Sequence, residues 1–141
     1  MRPVHRPGLR RWGLPVAAVL VLATLAAGCG SSKPAYCTDA SQLKTSVQDL
    51  GNVNINVHDL SSVGTAVSKV AADARKFASD AKSAYPSQTT ALKNSVSGLE
   101  TAVKSAKATP SVTTVAAVVS SVSQVKTAAS NLQSAVKGAC Q

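Results

Sequence analysis

From Asp39 onward, apolar side chains recur at alternating intervals of three and four residues, the period of an α-helix with one buried stripe and close to a heptad. The spacing predicts four segments. The first covers about Asp39 to Leu50, with Ala40, Leu43, Val47 and Leu50 on its stripe and Gly51-Asn52 as a C-terminal stop. The second is the most regular: it covers about Asp59 to Ala84, with Leu60, Val63, Val67, Val70, Ala74, Phe77 and Ala81 in register, and Pro86 blocks its continuation. The third, about Ser87 to Ala108, carries Leu92, Val96, Leu99, Val103 and Ala106. Thr109-Pro110 ends it and opens the fourth, with Thr109 as cap and Pro110 at the first helical position. Val115, Val118, Val122, Val125, Ala129, Leu132, Val136 and Ala139 then hold register as far as Cys140. So many β-branched valines lower helix propensity, but spacing kept over about seven turns decides for helix.

Between the first two segments, Asn52-Val-Asn-Ile-Asn-Val-His58 alternates polar and apolar residues at the strand period. It is expected to be extended, with Val53, Ile55 and Val57 on one side and an open backbone edge that an incoming strand or a second copy could pair with. A solvated connector is the alternative. The first helix, about 18 Å long at 1.5 Å per residue, is too short to match the fourth, and the extended stretch makes up the difference. The fold class that follows is all-α: an up-and-down helical bundle of three long helices and one short helix with an extended segment.

The chain ahead of this pattern is of another kind. Arg2, Arg6, Arg10 and Arg11 precede an apolar run from Leu14 to Ala27, a basic region followed by a hydrophobic one. That run is shorter than the roughly 20 residues needed to span a bilayer. It leads into Leu25-Ala-Ala-Gly-Cys29-Gly-Ser-Ser32, which resembles the lipobox of bacterial lipoprotein precursors over this segment alone. The resemblance implies a lipid on the Cys29 thiol and cleavage just before it, with Ala27, Gly28 and Cys29 at the matching positions. One departure is Ala26, where the family usually has Leu; here the Leu stands one place earlier, at Leu25. An ordinary leader-peptidase cut near the same place is the alternative. Arg10-Arg11 is only faintly similar to a twin-arginine signal, lacking its flanking residues. The Ala-, Val- and Arg-rich composition resembles that of small helical lipoproteins of high-GC actinobacteria. The expected organisation is therefore a signal peptide over 1–28, a lipidated tether over 29–38 and the bundle over 39–141. Its expected location is the extracytoplasmic face of the cell membrane, held there by lipid.

This changes how the three cysteines are read. With Cys29 assigned to lipid, Cys37 and Cys140 remain as an even pair in an oxidising compartment, and a disulfide between them is expected. In an up-down-up-down bundle the start of the first helix lies beside the end of the last, where these two cysteines fall. Closing a loop of about 100 residues stabilises by up to ~4.7 kcal/mol in the chain-entropy account.

Four of the 15 basic residues lie in the leader, leaving eleven against six acids in the remainder. The lysines are dispersed, as on a solvated helix face. A mild positive excess suits anionic headgroups or wall polymers, whereas the scarcity of aromatics disfavours nucleic acid. Candidate chemistry is sparse. His58 beside Asp59 pairs a base with a carboxylate, but neighbouring side chains point apart and Asp59 is placed to cap a helix. No metal-ligand spacing, phosphate loop or nucleophile elbow is present, so no enzyme and no cofactor is expected. Tyr36 and Tyr85 stand at element ends, where half-buried rings commonly pack. The abundant Ser and Thr serve as solvation or glycosylation sites.

The expected function is that of a non-catalytic interaction or structural module of the cell envelope. Its expected partners are the membrane, through the lipid on Cys29, and an envelope protein, a wall polymer or a second copy. The alternative is a small lipid- or apolar-ligand-binding bundle, suggested by core positions filled with small residues.

Overall fold

The alternating three-and-four spacing folds as read. In a computed structural model that describes residues 32–141, the stripes become four helices: α1 (Ala35–Asn52), α2 (Leu60–Ala81), α3 (Pro86–Ala108) and α4 (Val112–Val136). Each helix packs against the next in sequence, and α1 against α4, which closes an up-and-down bundle. No strand occurs among the described residues.

All the stripe positions named above in α1, α2 and α3 are buried, as are Val118, Val122, Val125, Ala129, Leu132 and Val136 of α4. Val115 packs on the core partly buried, and Ala139 is exposed just beyond α4. Ala71 and Ala78 are buried too, broadening the apolar stripe of α2 beyond the strict heptad. The core cluster contains ten Val and six Ala against six Leu and one Phe, so it is made mainly of short side chains. Such helices keep full packing density only by approaching closely.

Helix ends differ from expectation in four places. First, α1 starts at Ala35 rather than near Asp39, so residues 35–38, read as tether, belong to the bundle. Pro34 is extended (φ −52°, ψ 145°), and its carbonyl accepts from the Cys37 N–H at 2.9 Å, closing the first turn. Second, α2 stops at Ala81, short of Ala84, with the Tyr85 N–H bonding back to the Ala81 carbonyl at 2.8 Å; α3 takes Pro86 at its first position. Third, the cap of α4 is Ser111, not Thr109. Thr109 instead ends α3, donating its N–H to Ser105, while Ser111 and Thr114 exchange side-chain and backbone hydrogen bonds in a capping box. The last helix ends at Val136 rather than running to Cys140.

In the Asn52–His58 stretch Val53 is extended (φ −71°, ψ 132°) and the chain turns at Val57 and His58. The Asn56 side chain makes the turn by accepting from the backbone N–H groups of His58 (2.8 Å) and Asp59 (3.1 Å). Val53 and Ile55 still face inward and pack against the core. Because α1 has 18 residues and α4 has 25, this connector supplies the apolar cover that α1 is too short to give.

Two substitutions test this account of the helices. Gly98 lies in α3 with open space where a Cβ would stand, so Gly98→Ala is expected to stabilise the fold by about 0.5–1 kcal/mol. Ser111→Ala removes the cap and is expected to cost about 1 kcal/mol. Urea unfolding followed by circular dichroism reads both, and a stable Ser111→Ala variant would mean that the capping box contributes nothing.

Candidate functional site

The two cysteines lie at one end of the α1–α4 seam and are joined there. Cys37 of α1 and Cys140, just past α4, form a disulfide (S–S 2.03 Å, Cα–Cα 5.5 Å) across 103 positions. At the same end Tyr36 packs edge-on against Phe77 of α2 (centroids 6.4 Å apart) and against Tyr85 of the α2–α3 turn (5.5 Å). The neighbouring Tyr85 hydroxyl, and then burial, raise the pKa of the Tyr36 phenol above its ordinary value. The three aromatic rings of the described residues thus form one cluster beside the disulfide.

The α1–α2 seam is polar along its length. Asp39 pairs with Lys76, Ser46 hydrogen-bonds to Asp73, and Asp49 pairs with Lys69 at 3.1 Å. The numbers rise on α1 as they fall on α2, as antiparallel neighbours require. These contacts are not equivalent. Asp49 and Lys69 are both more than half exposed, a situation in which an ion pair contributes little. The Asp39 side chain is fully buried (0 % exposed) whereas that of Lys76 remains 58 % exposed, and Asp39 Oδ2 has no hydrogen-bond partner among the described residues. A buried, half-satisfied carboxylate depends on its one cation. The hydrogen bond from Lys76 to Asp39 raises the pKa of the lysine against a smaller opposing effect of burial.

The α1–α4 seam carries no such ladder. Next to the disulfide it opens into a groove of about 400 Å³ floored by Ala40 and Val136, and it continues into a second hollow of about 180 Å³ floored by Val47 and Ala129. Lys137 borders the first, Lys126 the second and Lys44 both. Another groove, of about 390 Å³, lies between α2 and α3, bordered by Arg75, Lys82 and Lys93. Of these, Arg75 is paired with Glu100 at 3.1 Å.

The residues singled out in the sequence fare differently. Cys37 and Cys140 are brought together; Cys29 and the 1–28 leader lie outside the described residues. His58 is exposed, and Asp59 caps α2 by accepting from the Ser62 N–H at 3.3 Å. Ser62, through its side chain and then its backbone, holds the Asp59 pKa below the ordinary carboxylate value. The pair is thus a helix start and not a base oriented by an acid. Among the described residues no group of three or more His, Cys, Asp or Glu is placed to hold a metal ion, and no helix is long and apolar enough to cross a membrane. The buried polar residues Asp39, Ser46 and Thr89 were not anticipated. The chain matches no protein-family model, no curated protein and no solved structure.

Two predictions follow from this end of the bundle. Cys37→Ser with Cys140→Ser is expected to remove about 2–5 kcal/mol, read as a lower urea midpoint in oxidising buffer. No change would mean that the closed loop contributes nothing. Lys76→Met is expected to destabilise more than Lys69→Met, since only the former strands a buried carboxylate. With its pKa raised in the fold, Lys76 contributes stability that is complete below the unfolded lysine value of about 10.4 and lost as pH climbs through the folded-state value. Wild type should therefore lose stability between those two pH values more steeply than Asp39→Asn, and parallel curves would refute the coupling.

Proposed function

We propose that this chain is the precursor of a membrane-anchored lipoprotein, lipidated at Cys29. Its bundle acts at the extracytoplasmic face as a non-catalytic interaction or structural module of the cell envelope. The observation that carries the reading is Leu25-Ala-Ala-Gly-Cys29 at the end of a basic and then apolar leader. The Cys37–Cys140 disulfide supports it, because such bonds persist in oxidising compartments. So does the short interval between Cys29 and Ala35, where α1 begins, which would hold the bundle close to the lipid.

A second reading, a bundle that takes a small apolar ligand, draws on the apolar floor of the α1–α4 groove. Mass spectrometry of lipid co-purified with the protein distinguishes it.

The anchored reading makes a direct prediction. Cells expressing the chain with an alkyne-bearing fatty acid in the medium should label wild type and not Cys29→Ala, and only wild type should enter the detergent phase. If Cys29→Ala still partitions with detergent, the leader is an uncleaved anchor and lipidation is not what holds the protein.

A further inference from the structure

The six acids beyond the leader all lie between Asp39 and Glu100, on α1, α2, α3 or the α1–α2 connector, and α4 has none. Both acids of α1 are committed to the opposite seam, Asp39 to Lys76 and Asp49 to Lys69. The α1–α4 groove is therefore bordered by three lysines and by no acidic side chain, with Gln141 at its disulfide end. Lys44, Lys126 and Lys137 form no ion pair among the described residues and are exposed. Among the other helix pairs only the α2–α3 groove is also lined by cations and no acid, through Arg75, Lys82 and Lys93. The α1–α2 seam is a ladder of paired charges, the α2–α3 groove uses its arginine on Glu100, and the α3–α4 hollow is lined by Ser, Thr, Asn, Gln and Ala.

The three cations form a line. The disulfide sets Cys37 against Cys140, and further along the seam Val47 shares a hollow with Ala129 and Ser130, so the two helices keep one antiparallel offset. With that offset Lys44 falls opposite Gln133, between Lys137 and Lys126. At 1.5 Å per residue the lysines succeed one another along the seam at about 6 Å and about 10 Å. A single small anion would touch one of them; a linear polyanion lying in the groove would meet all three.

Resting on the reading of this chain as an envelope module, we propose that the α1–α4 groove binds a linear phosphodiester polymer. Its phosphates would lie along Lys137, Lys44 and Lys126, with its hydroxylated units against Ser41, Ser130 and Gln133. Each ammonium is a point charge with three rotating donors, able to meet the oxygens of a phosphodiester at whatever angle the polymer presents them. The groove shape favours a chain over a bilayer surface, which would meet a face or an end of the bundle and not a furrow. Ser and Gln around the apolar floor supply donors and acceptors for polyol hydroxyls.

The test is a titration of the full-length protein, in neutral detergent, with poly(glycerol phosphate), with free glycerol phosphate and with phosphatidylglycerol vesicles. The polymer should bind far more tightly than the monomer. K44Q/K126Q/K137Q should weaken polymer binding about tenfold, and flatten its dependence on log salt by about two. A control with the same charge change, K82Q/K93Q/K104Q, should bind as wild type does, and circular dichroism should show both variants helical. Equal weakening by both triples would reduce the effect to net charge and overturn the assignment. So would vesicle binding that depends on the same three lysines without any polymer binding, which would make the occupant an anionic bilayer. Fatty-acid labelling of Cys29 is independent of this titration, so failure of the polymer site and failure of the anchored reading are told apart.

Discussion

α1 is attached to its two neighbours by different means, and the rest of the bundle depends on that asymmetry. Against α2 it has a ladder of charged and polar contacts over a full apolar stripe. Against α4 it has a thinner contact, because it is the shortest helix and faces the longest. The Cys37–Cys140 bond closes that seam at one end, and Lys126 laid over Gly51 crosses it at the other. A Cβ at position 51 would stand 3.2 Å from the Lys126 ammonium, so a side chain there would displace the tip of the lysine. With a core of mostly Val and Ala, apolar burial per residue is small, and a covalent closure spanning nearly the whole domain bears correspondingly more of the stability.

Much of this was legible because it rests on periodicity. The α2 stripe from Leu60 to Ala81 alternates three and four without a break, and a helix with one buried face is the arrangement that places all seven residues inside. Cys37 with Cys140 was legible from topology, since any up-down-up-down order brings the two ends of the domain together. The start of α1 was missed although a signal existed: Tyr36 stands four residues before Ala40 and continues the 3–4 register one turn upstream. Ser111 was passed over as a cap because Thr109-Pro110 offered a start of the same type two residues earlier, and a local pattern does not choose between adjacent caps. The buried Asp39 was not legible at all. A carboxylate in the first turns of a helix reads as solvent-facing, and only the position of Lys76 on the neighbouring helix makes its burial tolerable.

The distribution of charge follows from the same geometry. A helix that supplies acids to one neighbour has fewer to offer the other, and α1 gives both of its acids to α2. Since α4 brings only Lys126 within its span and Lys137 just past it, the seam between them is cationic by subtraction, with no dense basic patch in the sequence beyond the leader. Dispersed lysines in the linear chain thus become an aligned row once the antiparallel offset is set. This is why the spacing of the lysines along the chain reads as no more than a solvated face.

The place of the disulfide also bears on how such a domain would be held. In the reading proposed above the polypeptide reaches the bundle from Cys29, and the first residues it meets are the turn at Pro34 and then Cys37. A pull from that side would act first on the end of α1, where helices fray most readily because the first backbone N–H groups lack internal partners. Cys37 passes that load to the end of α4 through a covalent bond, and Tyr36 is wedged between Phe77 and Tyr85 beside it. Peeling α1 away from the tethered side would require breaking that bond or opening the whole bundle at once. The far end, with Lys126 over Gly51 and the Asn56 turn, carries no covalent closure. In that reading the covalent closure stands at the end where the chain enters the bundle.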